Sequence, residues 1–137
     1  APSLAAIRTP EWASSRSIRP WHLFLSHNWL QGQSEMRVIK TRLREMCPDL
    51  RVFLDVDNLG SGTLNSMHID ISETILCYCT DRFFTSGPCA QELIRAVVQR
   101  KRIVTLLEPD RRERGGLTEA ECRRVFTEKP LWPSEPK

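Results

Sequence analysis

Between residues 20 and 126, short apolar runs alternate with segments of helical period. Trp21 to Ser26 reads as a strand, followed by a polar turn from His27 to Gly32. From Glu35 to Met46 the apolar residues Met36, Ile39, Leu43 and Met46 recur at steps of 3, 4 and 3, which places them on one helical face. Cys47-Pro48-Asp49 stops this helix, because proline lacks an N–H and its ring clashes with the preceding turn. Arg51 to Asp55 predicts a second strand, 56–63 a loop with Gly60 and Gly62, and Leu64 to Ile71 a short helix capped by Thr63. Thr74 to Thr80 predicts a third strand and Asp81 to Gly87 a loop. Pro88, favoured in the first helical turn, opens a helix with the stripe Ala90, Leu93, Ile94, Val97 and Val98. Arg100-Lys101-Arg102 ends it with positive charge, which suits the C-terminal dipole. Ile103 to Leu107 is a fourth strand, and Thr118-Glu119-Ala120-Glu121 matches a capping box that opens a last helix to about Phe126.

Strands alternating with helices predict an α/β fold: a flavodoxin-like open parallel sheet of four to five strands with helices on both faces. Right-handed crossovers put all strand-to-helix loops on one edge, where open sheets of this kind bind ligands. That edge carries 27–33, 56–63, 81–88 and 108–117. Residues 1–19 read as a linker. Residues 127–137, with Pro130, Pro133 and Pro136, read as a tail whose one strand-like piece lies at Lys129 to Trp132. The chain begins at Ala1, not Met, and is expected to be a piece of a longer protein.

Composition narrows the class. At 137 residues, 40% hydrophobic and 27% charged, the chain suits one globular domain and not a disordered or collagen-like one. A net charge of +3 makes no basic footprint, so nucleic acid is not an expected partner. No apolar run approaches the roughly 18 to 20 residues that span a bilayer, so no membrane is expected either. Nothing resembles a signal peptide. The five cysteines (Cys47, Cys77, Cys79, Cys89, Cys122) form no C-x-x-C pair, which favours buried thiols in a reducing, cytoplasmic setting over disulfides or zinc.

Several motifs fail. There is no phosphate-binding G-x-x-x-x-G-K-[ST] loop and no G-x-S-x-G elbow. Gly60-Ser61-Gly62 lacks the third glycine of a dinucleotide fingerprint and follows the wrong strand. Asp55-x-Asp57 starts like a calcium loop, but Leu59 and Ser66 stand where ligands are needed. Cys89 and Arg95 have the C-x5-R spacing of cysteine phosphatases, yet the intervening residues read as helix and Glu92 would repel an anion. His22, His27 and His68 lie in separate elements without metal spacing, so no metal is expected.

What remains is a combination: Leu23-Phe24-Leu25-Ser26-His27, then Val52-Phe53-Leu54-Asp55 with the loop through Gly62, then Cys89-Ala90-Gln91-Glu92-Leu93. At these residues, over about 21–110, the chain resembles a TIR (Toll/interleukin receptor) domain. The third segment resembles the C-x-x-E-L helix start of TIR domains that consume NAD+. The resemblance implies the TIR fold for 20–126, NAD+ as substrate with no bound cofactor, and homotypic association with other TIR domains. It implies Glu92 as the catalytic carboxylate. Cleaving the nicotinamide–ribose bond builds positive charge on the ribose, which a fixed carboxylate stabilises. An acidic residue early in a helix also has a simpler reading, attraction to the N-terminal dipole.

The resemblance extends to supporting residues. His27, Asn28 and Trp29 follow the first strand, where NAD+-cleaving relatives contact the substrate. Trp29 suits stacking on a flat ring and equally suits an amphipathic cover for the first helix. Asp57 lies in the stretch that resembles the BB loop, which gates the site and mediates domain contacts. Leu64 is placed to close over substrate or to sit in the core of its short helix. Relatives often carry Trp four residues before the glutamate, and Pro88 stands there instead. Phe84 or Trp29 is the candidate replacement, although Phe83 and Phe84 also suit packing. The alternative function is a non-enzymatic TIR–TIR assembly module in innate-immune-type signal transduction. A phosphate-receiver domain fits poorly, because the first strand ends in Ser-His-Asn and not in an acidic cluster.

Overall fold

The computed structural model describes residues 19–54 and 65–127. The expected linker before residue 19, the tail from 128 with its strand-like piece, and Asp57, Thr63 and Leu64 lie outside the described residues. Four strands form one all-parallel sheet: β1 (Trp21–Ser26), β2 (Val52–Phe53), β3 (Ser72–Cys79) and β4 (Arg102–Leu107), in the order β2-β1-β3-β4. The helices between them are α1 (Trp29–Met46), α2 (Asn65–Asp70), α3 (Asp81–Thr85) and α4 (Gly87–Val98), and α5 (Glu119–Thr127) follows β4. This is the α/β parallel-sheet class that the sequence pattern predicts.

Side chains alternate across the strands and feed two cores. Phe24, Phe53, Ile75, Cys77 and Cys79 pack under Leu93 and Ala96 of α4 and Cys122 of α5. Leu25, Val52, Leu54 and Tyr78 pack on the opposite face, against Met36 of α1. Helices therefore cover both faces. Phe53 stacks between Phe24 and His68, with ring centroids 4.9 and 4.2 Å away, which joins α2 to the first core. Asp70 at the end of α2 receives two hydrogen bonds from the Arg95 guanidinium on α4, at 2.6 and 2.7 Å.

Beyond a β2 of two residues, Val52–Phe53, in place of the expected Arg51 to Asp55, three elements differ from the sequence pattern. α1 starts at Trp29, six residues before the expected Glu35, because Asn28 caps it: the Asn28 Oδ1 accepts from the Leu30 N–H at 3.0 Å. Its first turns contain Gly32, which lowers intrinsic helix propensity but is needed here. A Cβ at Gly32 would sit 2.6 Å from Tyr78 Cδ1 and 3.3 Å from His27 Cβ. The expected loop 81–87 contains α3, whose Phe83 is buried in the first core. In α4 the buried positions are Cys89, Leu93 and Ala96, while Val97 and Val98 of the expected stripe are exposed. Cys89, Leu93 and Ala96 recur at steps of 4 and 3 and make the core-facing stripe, which leaves Val97 and Val98 off it. The capping box of α5 forms as expected, with the Glu121 N–H donating to Thr118 Oγ1 at 3.1 Å and the Thr118 N–H to Glu121 Oε1 at 3.4 Å.

Two expectations about stability follow. Gly32→Ala gains helix propensity but overpacks a Tyr78 ring that cannot swing away, so a net loss of about 1 kcal/mol is expected, read as a lower denaturation midpoint. Burial pushes the His68 imidazole pKa below its ordinary value. A group depressed in this way takes up a proton less readily when folded than when unfolded. Its contribution is complete above the unfolded value of about 6.5 and is lost as pH falls below it. The stability decline between pH 7 and pH 5 should therefore be shallower in His68→Gln than in the parent chain, as measured by urea titrations across that range.

Candidate functional site

The carboxyl edge of the sheet is organised by the end of β1. Ser26 lies two residues beyond Phe24 and so shares its face, the one covered by α4. In register, Ser26 stands opposite Cys77 of β3, which faces the same core. Glu92 sits in the second turn of α4, directly over this pair. The Ser26 hydroxyl donates to Glu92 Oε2 at 2.6 Å. The short distance fits a charge-assisted bond to a carboxylate. Glu92 is half-buried, so its side chain is held at the rim of the sheet and does not swing in bulk water.

α4 is aimed at this edge by its start. Ser86 caps the helix, its Oγ accepting from the Cys89 N–H at 3.4 Å, and Pro88 occupies the first turn, where a missing N–H costs nothing. Cys89 and Leu93 point down into the core, which leaves Glu92 beside them at the margin.

The rest of the edge is tied together by polar contacts. Gln31 of α1 donates through Nε2 to Asp81 at 2.6 Å and accepts from the Arg82 N–H at 3.2 Å, clamping α1 to α3. The Tyr78 hydroxyl donates to the Glu108 carboxylate, whose Oε1 accepts from the Asp110 N–H at 2.9 Å. Burial first, and then this bond to Glu108, push the Tyr78 phenol well above its ordinary range. The loop after β4 closes back on the sheet: the Asp81 N–H donates to the Gly115 carbonyl at 2.8 Å, with Gly115 at a φ of 67°. Arg114 of the same loop pairs with Glu35 at 3.1 Å.

The residues proposed from sequence take the following places. Glu92 is at the edge, with Ser26. His27 is buried toward α1, its Cβ near Gly32 and its Nδ1 3.4 Å from the Leu25 carbonyl. Asn28 is committed to capping α1. Trp29, the first residue of α1, is 58% exposed. Phe84 is half-buried and packs edge-on against Phe83 and Phe126, with centroids 5.1 and 5.3 Å away, so its ring is part of the join between α3 and α5. Pro88 is exposed. Ser26 is the residue that sequence reasoning passed over. Its parity with Phe24 was the available signal, because it puts the hydroxyl on the α4 side.

The C-x5-R spacing has no phosphatase geometry: Cys89 is buried within α4 and Arg95 turns away to Asp70. Burial pushes the thiols of Cys77, Cys79 and Cys122 upward, with the Glu92 charge adding to the effect at Cys77. Thiols buried and raised in this way are disfavoured as nucleophiles. Among the described residues, no group of three or more His, Cys, Asp or Glu could hold a metal ion. No described helix is long and apolar enough to cross a membrane.

No protein-family model and no curated protein matches the chain. Among solved structures, the TIR domain of the Toll-related receptor TRR-2 from Hydra magnipapillata superposes with a TM-score of 0.55 at 15% sequence identity, covering 66% of this chain and 73% of that one. The likeness is one of fold.

The burial pattern sets an expected thiol reactivity. Cys47 is half-buried and the other four thiols are buried. Titration of native protein with a chromogenic disulfide should label Cys47 first, with the rest released only on unfolding. Early labelling of Cys77 or Cys89 would mean that the floor beneath Glu92 is open to solvent.

Proposed function

We propose that this chain is a TIR signalling domain that hydrolyses NAD+ at the carboxyl edge of its sheet, with Glu92 as the catalytic carboxylate. The observation that carries the reading is the 2.6 Å bond from Ser26 to Glu92 Oε2. It orients a carboxylate at the edge where open parallel sheets take ligands. The TIR-like fold supports the same reading at the level of architecture, since fold alone does not fix activity.

The chemistry needs little from the protein. The bond between nicotinamide and ribose C1′ breaks, and its electron pair leaves with nicotinamide, which departs neutral. Positive charge develops on the ribose ring and C1′. A carboxylate fixed near that carbon stabilises the charge without having to reorganise. Water then adds to C1′ and gives up a proton, for which Glu92 is the acceptor, yielding ADP-ribose. Ser26 is a positioning residue in this scheme. Trp29, exposed at the first turn of α1, offers an indole face at the same edge, and self-association is the means by which further pocket walls are supplied.

The exposure of Trp29 and Leu30 (58% and 83%) favours a second reading, a TIR module that assembles without cleaving NAD+. Large apolar side chains at one helix start suit a protein contact.

Nicotinamide release from NAD+ at high protein concentration separates the two. Glu92→Ala should abolish turnover. Ser26→Ala, which loosens the carboxylate without removing it, should lower kcat by about ten- to a hundredfold with KM little changed. Concentration-dependent assembly with turnover no greater than that of Glu92→Ala would leave the assembly reading in place and remove the hydrolase.

A further inference from the structure

The opposite, amino-terminal edge of the sheet carries a separate feature. β1 and β2 begin there, and α1, running back against the strands, brings its last turns to the same edge. A cleft of about 590 Å³ lies between them, lined by Arg19, Lys40, Arg44 and Arg51, with Trp21 in its wall and Asp49 as the acidic residue. A second cleft of about 840 Å³ adjoins it through Lys40, Arg44 and Pro48, and adds Arg37. Its acidic residue, Glu45, is already paired with Arg42 at 3.2 Å.

Two properties separate this cluster from an ordinary solvated face. The first is preorganisation. The Arg51 Nε donates to the Pro20 carbonyl at 2.9 Å, and the guanidinium lies 4.5 Å from the centre of the Trp21 ring. The Arg51 N–H donates to His22 Nδ1 at 2.9 Å, which fixes the backbone beneath it. The second is a surplus of positive charge. Arg95, Arg111, Arg114 and Arg123 each pair with a carboxylate elsewhere in the molecule. Arg37 and Arg44 enter no ion pair among the described residues. Burial, and then the neighbouring Arg19 charge, push the Arg51 pKa down.

Four cations lining one cleft beside a single carboxylate, Asp49, favour a ligand carrying several negative charges. Guanidinium forks suit phosphate oxygens. The cleft is of small-molecule size, within the roughly 300 to 1,000 Å³ of typical ligand sites. Arg51 already covers the Trp21 face, and Trp21 is the aromatic residue lining the cleft among the described residues, so recognition goes through phosphates and not through ring stacking. We propose that this cleft binds a small molecule bearing a di- or triphosphate group, through Arg19, Lys40, Arg44 and Arg51. The site lies at the end of the sheet away from Glu92 and stands or falls independently of the hydrolase reading.

Calorimetric titration of the intact chain with inorganic tripolyphosphate at about 150 mM salt tests it, because screening there suppresses diffuse attraction. Saturable binding of one tripolyphosphate per chain is expected. Arg44→Glu should weaken it at least about tenfold, as loss of a charge-assisted contact requires. Arg112→Glu makes the same charge change in the exposed loop at the opposite edge and should alter affinity by no more than about twofold at that ionic strength. Both residues are exposed, and thermal melts establish that each variant is folded. Equal weakening by the two variants would show attraction to net charge only and overturn the site. So would the absence of saturable binding, or binding confined to vesicles bearing bisphosphorylated inositol lipids with none to soluble tripolyphosphate.

Discussion

β1 is hydrogen-bonded on both sides, to β2 and to β3, so each of its side chains must project from one face of the sheet or the other. This constraint organises the molecule. It sends Phe24 into the core beneath α4 and Leu25 into the core beneath α1, and it carries Ser26 to the α4 side at the point where the strand ends. A shift of one residue in register would exchange every one of these assignments. Pairing of Leu23 with Val52 and Thr74, and of Phe24 with Phe53 and Ile75, locks three strands into one frame, and the stacked rings of Phe24, Phe53 and His68 reinforce it.

Parallel topology then separates the chemistry of the two sheet edges. Every crossover returns the chain to the amino edge through a helix, so strand ends and helix starts gather at one end and helix ends and strand starts at the other. The carboxyl edge gathers Ser26, Glu92, Asp81 and Glu108, with the Gln31 clamp and the loop after β4 folded over them. The amino edge gathers Arg19, Lys40, Arg44 and Arg51. A net charge of +3 does not reveal this clustering, because a sum over the chain carries no positions. The clustering that matters for ligands is a property of the topology and not of composition.

Buried thiols take the place of larger side chains at the centre. Cys77, Cys79, Cys89 and Cys122 lie in one core, where they act as small buried hydrophobes. At the margin of this core Glu92 of α4 meets the Ser26 hydroxyl at the end of β1.

The alternation of short apolar runs with helical periods determined the strands, their parallel arrangement and the edge on which to look for a ligand, because burial on both faces requires those patterns whatever the partners are. The capping box at Thr118 and the stop at Cys47-Pro48 were equally local and equally legible. Tertiary packing decided the rest. It extended α1 back through Gly32, since only a side chain lacking Cβ fits against Tyr78. It turned α4 so that Cys89 and Ala96, and not Val97 and Val98, face the sheet. It paired Ser26 with Glu92 across 66 residues and assembled the amino-edge cations from three separate segments. A period within one element reports which of its faces is apolar. Which residue of another element meets that face depends on distances that no single segment encodes.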